Sequence, residues 1–162
     1  MGTFGEIFKE ILNGNNLAIF GVALAVVLPG IGSAKGVNLV ARATAGLISE
    51  DPNKYGKSML LQALPMTQGI YGMVAAFLIR IFSGIMGGGA PLSITEGAYY
   101  LFAALPIAFG GLYSAIKQGE VAAAGISVLA KRPDAVGKAV ISASFVELYA
   151  ILALLISLLL IL

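Results

Sequence analysis

One glutamate, Glu147, stands in the stretch SASFVELYAILALLISLLLIL as the sole charge between Lys138 and the last residue. Holding a carboxylate ionised in such surroundings is costly unless it is paired or protonated, and intramembrane carboxylates are mostly ion or proton sites. The plainer alternative is a structural glutamate, protonated and hydrogen-bonded between helices. Gln118 precedes the turn at Arg132 and Pro133 by nearly as many residues as Glu147 follows it. Antiparallel helices therefore bring both side chains to one depth, roughly 20 Å from the turn. A third segment, LPMTQGIY, offers Leu64, Pro65, Thr67, Gln68 and Tyr71, with positions 64, 68 and 71 on one helical face and 67 beside it.

The residue types narrow the chemistry. Pro65 has no amide hydrogen, so the carbonyl of Leu61 loses its helical donor and a kink can turn nearby carbonyls, that of Leu64 included, toward a ligand. A proton carrier needs only a carboxylate in dry surroundings, whereas an alkali cation needs several oxygens to replace its hydration shell. The Thr67 hydroxyl, the Gln68 and Gln118 amide oxygens, a kink carbonyl and the Glu147 carboxylate supply five. That set favours sodium over a proton, with polar contacts that merely link helices as the alternative. Tyr71 can donate its hydroxyl to Glu147, with an interfacial or core tyrosine as the alternative. With neither Cys nor His, thiolate and imidazole metal sites, disulfides, Ser-His dyads and Cys nucleophiles are excluded. The basic residues are scattered and the net charge is only +2, so no nucleic-acid partner is expected. The Gly-x-Gly in the first helix follows no strand and is not a nucleotide fingerprint.

The elements that must position these groups are membrane helices. Hydrophobic residues make up 59% of the 162 and charged ones 11%, too apolar for a soluble surface. At roughly 20 residues per crossing there is room for four helices. The expected fold is an all-α membrane protein with helices over residues 17–48, 55–85 and 95–129 and a fourth running on to 162. The first sixteen residues carry helical apolar spacing and read as a short interfacial helix retained in the mature protein, or as a frayed terminus. Lys54 and Lys57 lie in the first connection and Lys131, Arg132 and Lys138 in or beside the third, while the second, Gly-rich connection (86–94) has none. The positive-inside rule then puts the first and third connections in the cytoplasm and both termini outside. Arg80 fits this poorly and is expected to snorkel to the outer interface.

The halves repeat at a shift of 81 positions: Gly30, Ser33, Ala34, Val40, Pro52, Gly56 and Lys57 recur as Gly111, Ser114, Ala115, Val121, Pro133, Gly137 and Lys138. This reads as a duplicated helical hairpin, residues 17–85 and 95–162, in parallel orientation. Met66 stands where the second copy has Glu147, so one carboxylate serves two hairpins. Small residues such as Gly32, Ser33 and Gly36 in the first helix, and Gly111, Ser114 and Gly119 in the third, predict close backbone approach between those two helices.

In combination, PGIGSAKG in the first helix, LPMTQGIYG in the second, Gln118-Gly119 followed by VAAAGI in the third and VELYAI in the fourth resemble the 16-kDa-type proteolipid of V-type ATPases. The similarity is closest to the sodium-translocating bacterial rotor-ring subunits and covers nearly the whole chain. The resemblance implies a ring of identical subunits in the bacterial plasma membrane, with the first and third helices inside and the second and fourth outside. It implies no catalytic site in this chain: ATP hydrolysis in separate soluble subunits turns the ring through central-stalk subunits, and a stator membrane subunit supplies an arginine that competes for the carboxylate. Residue by residue, the family's sodium site falls on the Leu64 carbonyl, Thr67, Gln68, Gln118 and Glu147, with Tyr71 hydrogen-bonded to the carboxylate. Arg80, the longer N-terminal segment and the GGGAP connection depart from what is expected of every member. A proton-carrying version of the same rotor, a structural or pore-forming proteolipid and a self-contained transporter are the rival expectations.

Overall fold

Asn13 opens the first long helix by accepting the Asn16 amide on its side chain at 2.9 Å, the arrangement that satisfies an otherwise orphaned donor of the first turn. The computed structural model describes residues 3–5 and 11–162, so most of the expected interfacial segment lies outside the described residues. The helix that follows, α1, runs Gly14–Glu50. It ends at Asp51, whose carboxylate accepts the Asn53 amide as Pro52 starts a 3₁₀ turn over Pro52–Lys54. α2 (Tyr55–Ala63), a second 3₁₀ turn at Leu64–Met66 and α3 (Thr67–Phe82) form one continuous crossing. Ser83 and Gly84 close it, Gly84 taking φ 72°, a left-handed conformation open to glycine without strain. Ser93 and Glu96 then form a reciprocal capping box for α4 (Ile94–Lys131). A last 3₁₀ turn, Pro133–Ala135, leads into α5 (Val136–Ile161).

Among the described residues, four segments are therefore long and apolar enough to span a membrane: Gly14–Glu50, Pro52–Phe82, Ile94–Lys131 and Pro133–Ile161. All described regular structure is helical, as the sequence predicts. Two helices are longer than expected, 37 and 38 residues, or about 55 Å each against a hydrocarbon core of about 30 Å. Pro29 and Pro106 are accommodated inside them.

Parallel packing of α1 on α4 is the centre of the fold. The register is set by glycines: a Cβ on Gly32 would lie 2.6 Å from the Leu112 carbonyl oxygen, and one on Gly119 would meet the backbone of Gly36. Without side chains there, the two backbones approach closely and gain dispersion contacts that lipid tails cannot supply. α3 packs across both α1 and α4, and α5 packs on α4. Lys54 donates to the Ala130 carbonyl at 2.9 Å, and Lys57 approaches the Pro133 carbonyl at 3.4 Å, so the two basic connections sit side by side at one end.

The apolar core is split in two. One cluster holds Ala25, Ala75, Ile79, Ala104 and Ile107; the other holds Val40, Leu61, Ala122, Ile126 and Ala143. In every crossing the residues between the two clusters include polar ones: Ser33, Gln68, Ser114, Gln118 and, on α5, Glu147. The two clusters part at this level, and it is the candidate site.

Candidate functional site

Glu147 projects from the middle of α5 and is half-buried. Its Oε1 accepts the Tyr71 hydroxyl at 2.7 Å, and its Oε2 lies 3.3 Å from the Gln118 amide nitrogen. A hydroxyl donated to a carboxylate at this distance is among the stronger hydrogen bonds a protein makes. The equal spacing of residues 118 and 147 about the turn at Arg132 and Pro133 thus becomes contact.

Behind the carboxylate lie two fully buried glutamines. The Gln68 amide nitrogen donates to the Gln118 amide oxygen at 2.6 Å and sits 3.4 Å from the Ser114 hydroxyl. Each amide has its partner, which a buried polar group requires because an unmade hydrogen bond there costs roughly 1–3 kcal/mol. Among the described residues, the buried side-chain atom left without a partner is Thr44 Oγ1, well away from this level.

The break at Pro65 supplies the remaining oxygens. Pro65 is buried against Gly36, and the chain tightens into the 3₁₀ turn Leu64–Met66. The Leu64 carbonyl accepts the Thr67 amide as well as the Thr67 hydroxyl at 3.2 Å. The same hydroxyl lies 3.4 Å from the Gln68 amide oxygen. Leu64, Thr67 and Gln68 therefore gather three oxygens at a corner of α3, and the Gln68–Gln118 pair joins that corner to Glu147. All six residues singled out by the sequence, Leu64, Thr67, Gln68, Tyr71, Gln118 and Glu147, meet at one level, with Pro65 setting the local geometry.

Two serines at this level were not among the predicted site residues. Ser33 accepts the Gly69 amide at 3.0 Å and approaches the Met66 carbonyl at 3.4 Å, so it supports the backbone just beyond the proline. Ser114 donates to the Val146 carbonyl at 2.9 Å. The two are equivalent under the 81-residue repeat, and each binds the carbonyl facing it on the adjacent helix. Ser114 also stands one helical turn before Gln118, on the same face, and that spacing is the signal by which it could have been found.

Arg80 lies in a groove with Val22, Val26, Met73, Ala76 and Phe77, half-buried and without an ion-pair partner among the described residues. It is not among the partners of Glu147. Lys117 and Glu120 pair on α4 at 2.9 Å, both substantially exposed, and take no part in the glutamine network.

The profile of the ATP synthase C family matches residues 20–79 and again residues 101–160. The two matches begin 81 positions apart, the interval read from the repeated residues. The chain is 50% identical to V-type sodium ATPase subunit K of Enterococcus hirae over 90% of both chains. It is 39% identical to A-type ATP synthase subunit K of Methanocaldococcus jannaschii over 89% of this chain and 61% of that protein. With both halves matched and the carboxylate of the second at the interrupted level of the core, the chain belongs to the ATP synthase C family, as an integral membrane member with a duplicated hairpin.

Proposed function

We propose that this chain is a rotor-ring subunit of a V-type ATPase, that its cargo is Na⁺, and that the ion is held by Glu147, Gln118, Gln68, Thr67 and the Leu64 carbonyl. The observation that carries the reading is the buried Gln68–Gln118 pair, which connects the oxygen corner at Pro65 to the carboxylate. A proton carrier has no use for buried amides and a kinked carbonyl, whereas a cation does. The relative named a V-type sodium ATPase subunit supports the same cargo.

Loading neutralises Glu147, so the occupied site crosses the lipid-facing arc of the ring without an unpaired charge. Unloading requires a competing cation, the role we give to an arginine of a stator membrane subunit. Moving one charge against 100 mV costs about 2.3 kcal/mol, so rotation must be driven by ATP hydrolysis in soluble subunits coupled through a central stalk. The basic connections around Lys54, Lys57, Lys131 and Arg132 face the cytoplasm in this reading, and the end bearing Gly84 and Ser93 faces outside.

A ring of identical copies also accounts for the apolar sides of the hairpins. Under the repeat, Leu64, Thr67, Gln68 and Tyr71 correspond to Phe145, Leu148, Tyr149 and Leu152, exposed by 63%, 52%, 71% and 58% in the isolated chain. A second copy would cover them, and its junction would hold no ligand set, so each copy carries one ion. The test is labelling of Glu147 by a hydrophobic carbodiimide in the purified ring. Added sodium should slow it in a saturable way; absence of protection at every pH would sink the sodium assignment in favour of the proton.

A further inference from the structure

Ser114 is 5% exposed and touches both halves of the site. Its hydroxyl carries one proton, and the Val146 carbonyl at 2.9 Å takes it, since a carbonyl can only accept. What Ser114 turns toward Gln68 is therefore a lone pair, and only the amide NH₂ of Gln68, 3.4 Å away, is a compatible neighbour. The amide oxygen of Gln68 must then face the other way, toward the Thr67 hydroxyl and the carbonyl of Leu64. A Gln68 amide turned round would present an NH₂ there, which repels a cation.

Gln118 donates to Glu147 and accepts from Gln68. Ser114 is tied to a backbone carbonyl whose hydrogen-bonding sense never changes.

We propose that Ser114 is a positioning residue that keeps the Gln68 amide oxygen aimed at the cation. It acts through Gln68 and does not itself touch the ion. The inference rests on the sodium reading above.

The experiment measures the sodium concentration that half-protects Glu147 from carbodiimide in purified rings. Wild type, Ser114→Ala, Gln68→Ala and the double variant are compared. Ser114→Ala should raise that concentration about tenfold, the effect of losing one hydrogen bond, and leave the sodium-free labelling rate unchanged. In the Gln68→Ala background it should add nothing, because the group it positions is gone. Should Ser114→Ala fail to assemble, Ser114→Cys keeps the volume, weakens the acceptor and must shift sodium protection the same way. An unchanged sodium requirement, an equal further loss in the Gln68→Ala background, or a sodium-free rate altered as much as the sodium requirement would overturn the proposal. Lack of protection in wild type removes the sodium reading and this inference with it, whereas protection in wild type with an unmoved Ser114→Ala removes the inference alone.

Discussion

Replacing Tyr71 by Phe removes one oxygen and leaves the ring packed where it is, partly buried against the cluster around Ala75 and Ile79. The lost interaction is the 2.7 Å hydrogen bond to Glu147 Oε1. Hydrogen bonds to a charged partner contribute roughly 1.5–3 kcal/mol. Here the lower end applies, because Glu147 is only half-buried and keeps the Gln118 amide at 3.3 Å as a second donor. About 1.5 kcal/mol is roughly tenfold in affinity. The direction follows from preorganisation: the tyrosine holds the carboxylate in the orientation a cation needs, and without it that ordering must be supplied on binding. Tyr71→Phe should therefore need about ten times more sodium for half-protection of Glu147 in the carbodiimide assay. Tyr149→Phe is the control, since the carboxylate's hydrogen bonds come from Tyr71 and Gln118 and not from Tyr149, and it should leave the value unmoved. An unchanged sodium requirement in Tyr71→Phe, or an equal shift in Tyr149→Phe, would refute the reasoning.

Further expectations concern transport and packing. Glu147→Gln keeps the volume and hydrogen-bonding reach of the side chain but removes its charge, so rings should assemble while ATP-driven sodium uptake into vesicles is abolished; persistent uptake would contradict the role given to the carboxylate. Gly36→Ala places a Cβ 2.5 Å from the Ala115 carbonyl oxygen and 2.7 Å from Pro65 Cβ, an overpacking worth roughly 1–3 kcal/mol, whereas Gly56→Ala meets nothing within 4 Å. Thermal unfolding of rings in detergent should separate the two, with Gly56→Ala at or slightly above wild type. Ser157 is fully buried and accepts the Ile107 amide, next to Pro106, at 3.1 Å. Ser157→Ala should cost about 1 kcal/mol in the same assay without changing sodium protection.

The lone charge at Glu147 could be read from the sequence because nothing else in the fourth helix beyond Lys138 is charged, and a charge set in an apolar stretch announces itself by composition alone. The duplication was legible for a similar reason: turn residues such as Pro52 and Pro133 are demanded by backbone geometry and therefore recur. The pairing of Gln118 with Glu147 followed from counting residues out from a tight turn, since antiparallel helices of fixed rise return to equal depths. Helix ends were less accessible. The expected start at residue 17 became Gly14, because the cap depends on Asn13 bonding to Asn16, and several asparagines in that stretch could have served.

The sequence by itself thus determined the solvent, the number of helices, the repeat and the identity of the oxygens available near one depth. Only the tertiary structure decided how those oxygens are directed. Whether Gln68 offers an oxygen or a nitrogen to the Leu64–Thr67 corner depends on Ser114, on another helix, and Ser114 in turn on the Val146 carbonyl on a third. Local spacing cannot encode that choice, because an amide rotated by half a turn fills the same volume and differs only in which partners lie across the interface.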